Sequence, residues 1–329
     1  MKRRDFLWVL GGGVAAWPLT ARAQQSSGRV YRVGYLVTSS RAMASTGITA
    51  FEDALRGHGY RVGENVIIEY RFADGNLERL PALAADLVKF GADVIVTGSN
   101  PNVVAAMKAT TTIPIVMINA FDPVGAGLVA SLARPGGNVT GVTGDTGHEI
   151  WGKRLELLKE TLPNLSRVGI LWNPNIRTSR ARMTSTEEAA RALGLTLVPV
   201  NTPGPDTLEQ AFAILMREQI QAFVLLVDSV LFGYRDQIAE MALRYRLPGT
   251  SDAIEFVEAG FLLGYGIRFR DLARQSAVFV DRILKGAKAA DLPVEQPTKF
   301  ALIINLKTAK ALGLEIPPSL LTRADEVIE

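Results

Sequence analysis

From Val30 onward the chain alternates short apolar, β-rich runs with longer stretches whose apolar residues recur at helical spacing. That alternation predicts βαβ units built on parallel sheets. In the first half it predicts strands near Tyr31–Val37, Asn65–Arg71, Asp93–Thr97, Ile113–Ile118 and Val139–Val142, with helices near Thr46–His58, Leu77–Phe90, Asn102–Ala109 and Gly127–Leu132. Uninterrupted runs such as Val94-Ile95-Val96 read as strands covered on both faces. The second half repeats the plan, with strands at Arg167–Trp172, Thr196–Val200, Ala222–Val227, Leu247–Thr250 and Phe261–Tyr265. Its helices are expected near Ile150–Thr161, Ser179–Leu193, Thr207–Glu218, Tyr234–Arg244 and Ile254–Glu258. No glycine-serine linker or charge run separates the halves, so two similar lobes joined by short crossings are expected, one crossing lying near Thr143–Glu149.

The tail breaks the repeat. Phe269–Lys285 places Leu272, Val278 or Phe279, and Ile283 at helical spacing with Arg and Asp between them, which predicts an amphipathic helix. Pro293 and Pro297 then punctuate a stretch suited to an extended crossing. A strand at Phe300–Asn305 and a helix at Thr308–Leu312, ended by Gly313, follow.

The N-terminus has a different character. Lys2-Arg3-Arg4-Asp5-Phe6-Leu7 precedes an uncharged run from Trp8 to Thr20, and Ala21-Arg22-Ala23 follows. This is the pattern of an export signal, residues 1–23, cleaved after Ala23. The adjacent arginines followed by Phe-Leu resemble the twin-arginine signal, with Lys2 where Ser or Thr is usual, and an ordinary secretory signal remains the alternative. The leader changes the charge picture. Of 36 basic and 33 acidic residues, four and one lie in it, so the formal charge of +3 disappears on cleavage and 32 residues of each sign remain. No nucleic-acid partner is then expected. The absence of cysteine excludes disulfides, thiolate-bound metal, a thiol nucleophile and a lipidated N-terminal cysteine. With two histidines in the chain, no metal and no cofactor are expected.

Dinucleotide binding would need Gly-x-Gly-x-x-Gly after a strand, and the first mature strand runs instead into Thr38-Ser39-Ser40-Arg41. His58 falls where a helix ends. His148, beside Glu149 at the predicted crossing, reads equally as a ligand contact or an exposed loop residue. No nucleophile, base and orienting group can be assembled. What remains is a set of polar residues at the carboxyl ends of predicted strands, where open α/β sheets bind ligands. They are Ser39, Ser40, Ser99, Asn100, Asn119 and Asp122 in the first half, and Asn173, Asn175, Asp228, Ser229, Ser251 and Asp252 in the second. Each alone reads equally as a helix cap, but capping does not require the pattern in both halves.

Five further stretches carry a resemblance. Asp122-Pro123-Val124-Gly125-Ala126-Gly127-Leu128-Val129, Arg134-Pro135-Gly136-Gly137-Asn138-Val139-Thr140-Gly141-Val142, Leu157-Leu158-Lys159-Glu160 and Leu171-Trp172-Asn173-Pro174-Asn175, then Gly264-Tyr265-Gly266, stand in this order along the chain. Together they resemble the substrate-binding proteins of ABC transporters, in the tryptophan/tyrosine-type group with a type I periplasmic-binding-protein fold. The resemblance implies an α/β fold of two Rossmann-like, parallel-sheet lobes hinged by three crossings, with a ligand cleft between them. It implies lobe one at 24–144 with 268–294 and lobe two at 145–267 with 295–329. It further implies a monomer, free in the periplasm, that hands a small solute to ABC permease and ATPase subunits of the inner membrane.

For an amino acid or related aromatic or apolar carboxylate, Asp228 or Asp252 would accept from an ammonium, while Ser39, Ser40 and Ser99 would donate to a carboxylate. Trp151, Phe121, Phe232 or Tyr265 would stack on the side chain, and Trp172 reads as core. A secreted α/β enzyme and a sensor presenting ligand to a receptor are the alternatives.

Overall fold

A computed structural model describes residues 29–145 and 149–329. The expected leader and His148 lie outside the described residues. The first lobe runs β1 (Tyr31–Val37), α1 (Arg41–Gly57), β2 (Val66–Phe72), α2 (Leu80–Phe90), β3 (Val94–Thr97), α3 (Asn100–Ala109), β4 (Ile115–Ala120) and β5 (Val139–Thr143). Its five strands are all parallel, in the order β2-β1-β3-β4-β5. Every residue of β3 is buried, as a central strand with helices on both faces requires.

The second lobe runs α4 (Glu149–Thr161), β6 (Arg167–Trp172), α5 (Arg177–Ala192), β7 (Thr196–Asn201), α6 (Leu208–Arg217), β8 (Ala222–Leu225), α7 (Arg235–Arg244), β9 (Gly249–Ala253), α8 (Glu255–Ala259) and β10 (Leu263–Ile267). The chain then continues through α9 (Phe269–Leu284), β11 (Ala301–Asn305), α10 (Leu306–Leu312), α11 (Pro318–Arg323) and β12 (Glu326–Ile328). The second sheet is ordered β12-β11-β10-β9-β8-β6-β7. Its β7-β6-β8-β9-β10 part repeats the first sheet, and β11 is added antiparallel to β10.

The tail helix returns to the first lobe. Leu272, Ala277, Phe279 and Val280 of α9 share a core with Val33 and Phe51, beneath Val96 and Val116. Its apolar stripe, legible in the sequence, is what seals that face. The chain then runs back along the edge of β5, where Thr143 N–H donates to the Glu295 carbonyl at 2.9 Å and Glu295 N–H to that of Gly141 at 2.9 Å. Three passages therefore join the lobes, at β5 to α4, at β10 to α9, and near residue 295.

One expected element is absent. Gly127–Leu132 is not a helix: Asp122 and Gly127 hold φ of +42° and +71°, Asp122 Oδ1 accepts from Gly125 N–H at 2.9 Å, and Leu128 N–H returns to the Pro123 carbonyl at 2.8 Å. The segment is a run of turns that delivers Leu128 and Val129 into the core. The strand expected at Leu247–Thr250 forms at Gly249–Ala253, because Leu247 N–H closes the end of α7 on the Ala242 carbonyl. The short α11 and β12 were not expected.

Gly141 holds the joint between β4 and β5. Its φ is +126°, and a Cβ there would lie 2.2 Å from the Met117 carbonyl oxygen. Gly141→Ala is expected to destabilise the protein by roughly 3 kcal/mol or more in denaturant unfolding. Gly137→Ala, where a Cβ meets nothing within 4 Å, is expected to change stability little.

Candidate functional site between the lobes

Both sheets reverse strand order beside their first strand, between β1 and β3 and between β6 and β8. The loops at the carboxyl ends of these strands line a cleft of about 360 Å³. Lobe one contributes Tyr35, Thr38, Ser39, Met43, Ser99, Asn119 and Phe121, and lobe two contributes Arg182, Asp228, Ser229, Phe232 and Glu255. Phe269 and Arg270, at the start of α9, close one end. An adjoining cavity of about 390 Å³ shares Phe121, Thr178 and Arg182 and adds Asp122, Asp145, Trp151 and Arg177.

Of the residues singled out in the sequence, Ser39, Ser99, Asn100, Asn119, Asp228 and Ser229 line the main cleft, together with Phe121 and Phe232. Asp122 and Trp151 line the adjoining cavity. Ser40, Asn173, Asn175, Ser251, Asp252 and Tyr265 line neither. Ser40 caps α1, its carbonyl accepting from Ala44 N–H at 3.0 Å. Asn100 is engaged with the Phe121 backbone in both directions, at 2.7 and 2.9 Å. The Ser99 hydroxyl donates to Asn102 Oδ1 at 3.2 Å, and the buried Asn102 amide also takes the Thr38 hydroxyl at 2.6 Å. Asn173 Oδ1 accepts from Asn175 N–H at 3.0 Å, a turn at the end of β6. Tyr265 uses its carbonyl, which accepts from Arg154 Nε at 2.7 Å.

Arg182 was not among the expected residues, yet it ties the site together. Its Nη2 pairs with Asp252 Oδ2 at 3.0 Å and its Nη1 donates to the Val227 carbonyl at 2.5 Å. The guanidinium lies 4.5 Å over the Phe121 ring and 4.7 Å over that of Trp151. Its signal in the sequence is helical spacing: Ser179, Arg182, Met183, Thr186 and Ala190 form the buried stripe of α5. Asp252 is thereby paired through Oδ2 while its Oδ1 stays without a partner; Asp228, which unlike Asp252 lines the cleft, also keeps an unpartnered oxygen. Asp228 Oδ1 accepts from Val230 N–H at 2.6 Å and Leu231 N–H at 3.1 Å, while Oδ2 is buried without a partner. Burial pushes this carboxyl up to about 6, against the pull of the two amides, of Arg182 and of the neighbouring Asn173 side chain. Glu255, also missed, has an unpartnered buried Oε2, and burial pushes it up to about 7.

The lobes touch across the cleft. Arg177 Nη2 donates to the Gly125 carbonyl at 3.0 Å and Arg235 Nη1 to that of Met43 at 3.3 Å.

Two lobes of parallel sheet with a cleft between their carboxyl ends define the type I periplasmic-binding-protein class. The family described as ABC transporter substrate binding protein matches residues 36–328, and the chain belongs to it. A "Tyrosine-binding protein" of Clostridioides difficile is 28% identical over 265 residues, covering 80% of this chain and 76% of the relative. A solved Streptococcus pneumonia domain in complex with L-Trp is 28% identical, with a TM-score of 0.82 over 91% of this chain and 99% of its own. The ligand-free, open structure of a Clostridium difficile substrate-binding protein with adhesive properties is 26% identical, with a TM-score of 0.65 over 91% and 99%.

The raised Asp228 carboxyl has a stability consequence. Its folded value of about 6 exceeds the ordinary 3.8, so the folded state binds more protons between these values and loses stability as pH rises through that window. Asp228→Asn keeps an oxygen for the two amides and removes the charge. Ligand-stripped Asp228→Asn is expected to melt above the parent at pH 8, by the equivalent of roughly 2–3 kcal/mol, with the gap closing near pH 4.

Proposed function

We propose that the chain captures an aromatic amino acid of the tryptophan or tyrosine type in this cleft. The observation that carries the reading is the unpartnered, buried Oδ2 of Asp228, a residue that lines a largely apolar cleft. An ammonium group is the partner such a carboxylate needs, since a desolvated anion left alone is costly. The Ser39 hydroxyl and the first-turn amides of α1, whose helix dipole points its positive end toward the cleft, suit a carboxylate. Phe121, Phe232 and Met43 offer an apolar bed for a ring. One relative named for tyrosine binding and another solved in complex with L-Trp support this chemistry.

Capture proceeds by closure. A ligand resting on one lobe gains contacts from the other that exist only when the lobes meet, and this differential binding draws the equilibrium to the closed form. The polypeptide divides for this purpose into 24–144 with 268–294 and 145–267 with 295–329. The leader directs the protein to the periplasm, where, with no cysteine to lipidate, it diffuses as a free monomer and delivers its ligand to an ABC permease.

Calorimetry on protein stripped by unfolding and refolding is expected to show about micromolar or tighter binding of L-Trp or L-Tyr, equivalent to roughly −8 kcal/mol. No heat with any aromatic amino acid would overturn the reading. Asp228→Ala is expected to weaken binding by at least about tenfold. In the parent, affinity is expected to fall by about tenfold per pH unit once pH drops below about 6, because the ammonium binds the ionised carboxylate.

A further inference from the structure

A second carboxyl of the cleft is unexplained by an ammonium site. Glu255 opens α8 at the carboxyl end of β9 and is 6% exposed. Its Oε1 accepts from Arg270 N–H at 3.3 Å, and its Oε2 has no partner. The charges acting on it are those of Glu258 and Arg270, whereas the charge acting on Asp228 is that of Arg182. The two carboxyls are held by different backbone, Asp228 by Val230 and Leu231 N–H beyond β8 and Glu255 by Arg270 N–H at the start of α9. Glu255 stands at the aromatic end, where Phe269 closes the cleft beside Phe232, their ring centroids 4.8 Å apart.

We infer that Glu255 is a specificity-determining residue: its free oxygen accepts a hydrogen bond from an N–H or O–H on the ligand's ring, so the cleft selects donor-bearing aromatic amino acids over phenylalanine. The inference rests on the proposed capture of an aromatic amino acid. A ligand held at its ammonium by Asp228 directs its ring away from that carboxylate and toward the Phe232 and Phe269 end. An indole N–H or a phenol O–H at the far edge of the ring supplies the donor that the buried oxygen lacks. A plain phenyl ring covers the same oxygen with C–H groups and leaves it desolvated and unpaired. Sites built to receive a polar hydrogen reject the analogue without one far better than apolar pockets distinguish a methylene. Burial also makes Glu255 a poor carboxylate in isolation, and a donor brought to it restores the ionised form.

The test is calorimetry on the full chain with two matched ligand pairs: L-Tyr against L-Phe, and L-Trp against 3-benzothienyl-L-alanine, which replaces the indole N–H by sulfur. The parent is expected to prefer the donor-bearing member of at least one pair by about tenfold or more. Glu255→Leu is expected to reduce that preference to about threefold or less while binding the donor-free member at least as tightly as the parent does, which also reports that the variant is folded. Glu255→Gln, which keeps an acceptor, is expected to retain part of the preference. Equal affinities within both pairs in the parent, or an unchanged preference in a Glu255→Leu variant that still binds, would overturn the role of Glu255 and leave aromatic capture standing. Absence of binding by all four ligands to the parent would overturn both.

Discussion

Arg182 reaches from α5 into the joint between the lobes with 7% of its side chain exposed, and its demands organise what surrounds it. A guanidinium taken out of water needs its charge met and its donors filled, and removing its partner typically costs about 3–5 kcal/mol. Asp252 at the end of β9 meets the charge, the Val227 carbonyl beyond β8 fills a donor, and the Phe121 ring of lobe one covers the plane. Two loops of one lobe and one of the other are thereby positioned by a single side chain. Asp228 follows Val227 directly, so the same contact sets where its carboxylate points, and the positive charge nearby keeps that buried carboxyl from rising further.

The crossing into lobe two is tied to the same cluster. Trp151 lies in the first turn of α4, and its ring is contacted by Arg182 at 4.7 Å and by Arg154 at 4.3 Å. Arg154 is fully buried, donates from Nε to the Tyr265 carbonyl, and is drawn down to about 10 by burial, which leaves it charged at neutral pH. An indole contacted by two guanidinium groups is a stiff element. It fixes the start of α4 against β10 and the β9 loop.

The strands were legible because their apolar runs are short, continuous and bounded by turn residues: Tyr31–Val37 and Arg167–Trp172 form as read. The return of α9 to lobe one follows from an apolar stripe with no other face to cover. The turns at Asp122–Gly127 were misread because Leu128 and Val129 carry the spacing of a helix, whereas two positive φ angles and an aspartate turn decide the backbone locally. Asp228, Ser39 and Asn119 were found by a rule about strand ends. Arg182 and Glu255 escaped that rule, one inside a helix and the other at the start of one, where charged side chains ordinarily face water. What revealed them is burial without full pairing, a property of three-dimensional packing. The stripe of Ser179, Arg182, Met183 and Thr186 was the trace left in the sequence.

Unpaired buried acceptors make closure conditional. Asp228 Oδ2, Glu255 Oε2 and Asn119 Oδ1 each lack a partner with the lobes together. In the proposed capture, closing without a donor leaves these oxygens desolvated at a cost of about 1–3 kcal/mol per group. A ligand that brings donors to these oxygens replaces the lost water at the moment of closure, so its binding energy is expressed in the closed state. The cross-cleft contacts of Arg177 and Arg235 are single hydrogen bonds to carbonyls, each worth about 1 kcal/mol, and they stand beside the packing of Arg182 on Phe121. In the proposed capture, selectivity and closure thus draw on the same atoms: a solute that leaves one acceptor bare binds less well because it also closes the protein less completely.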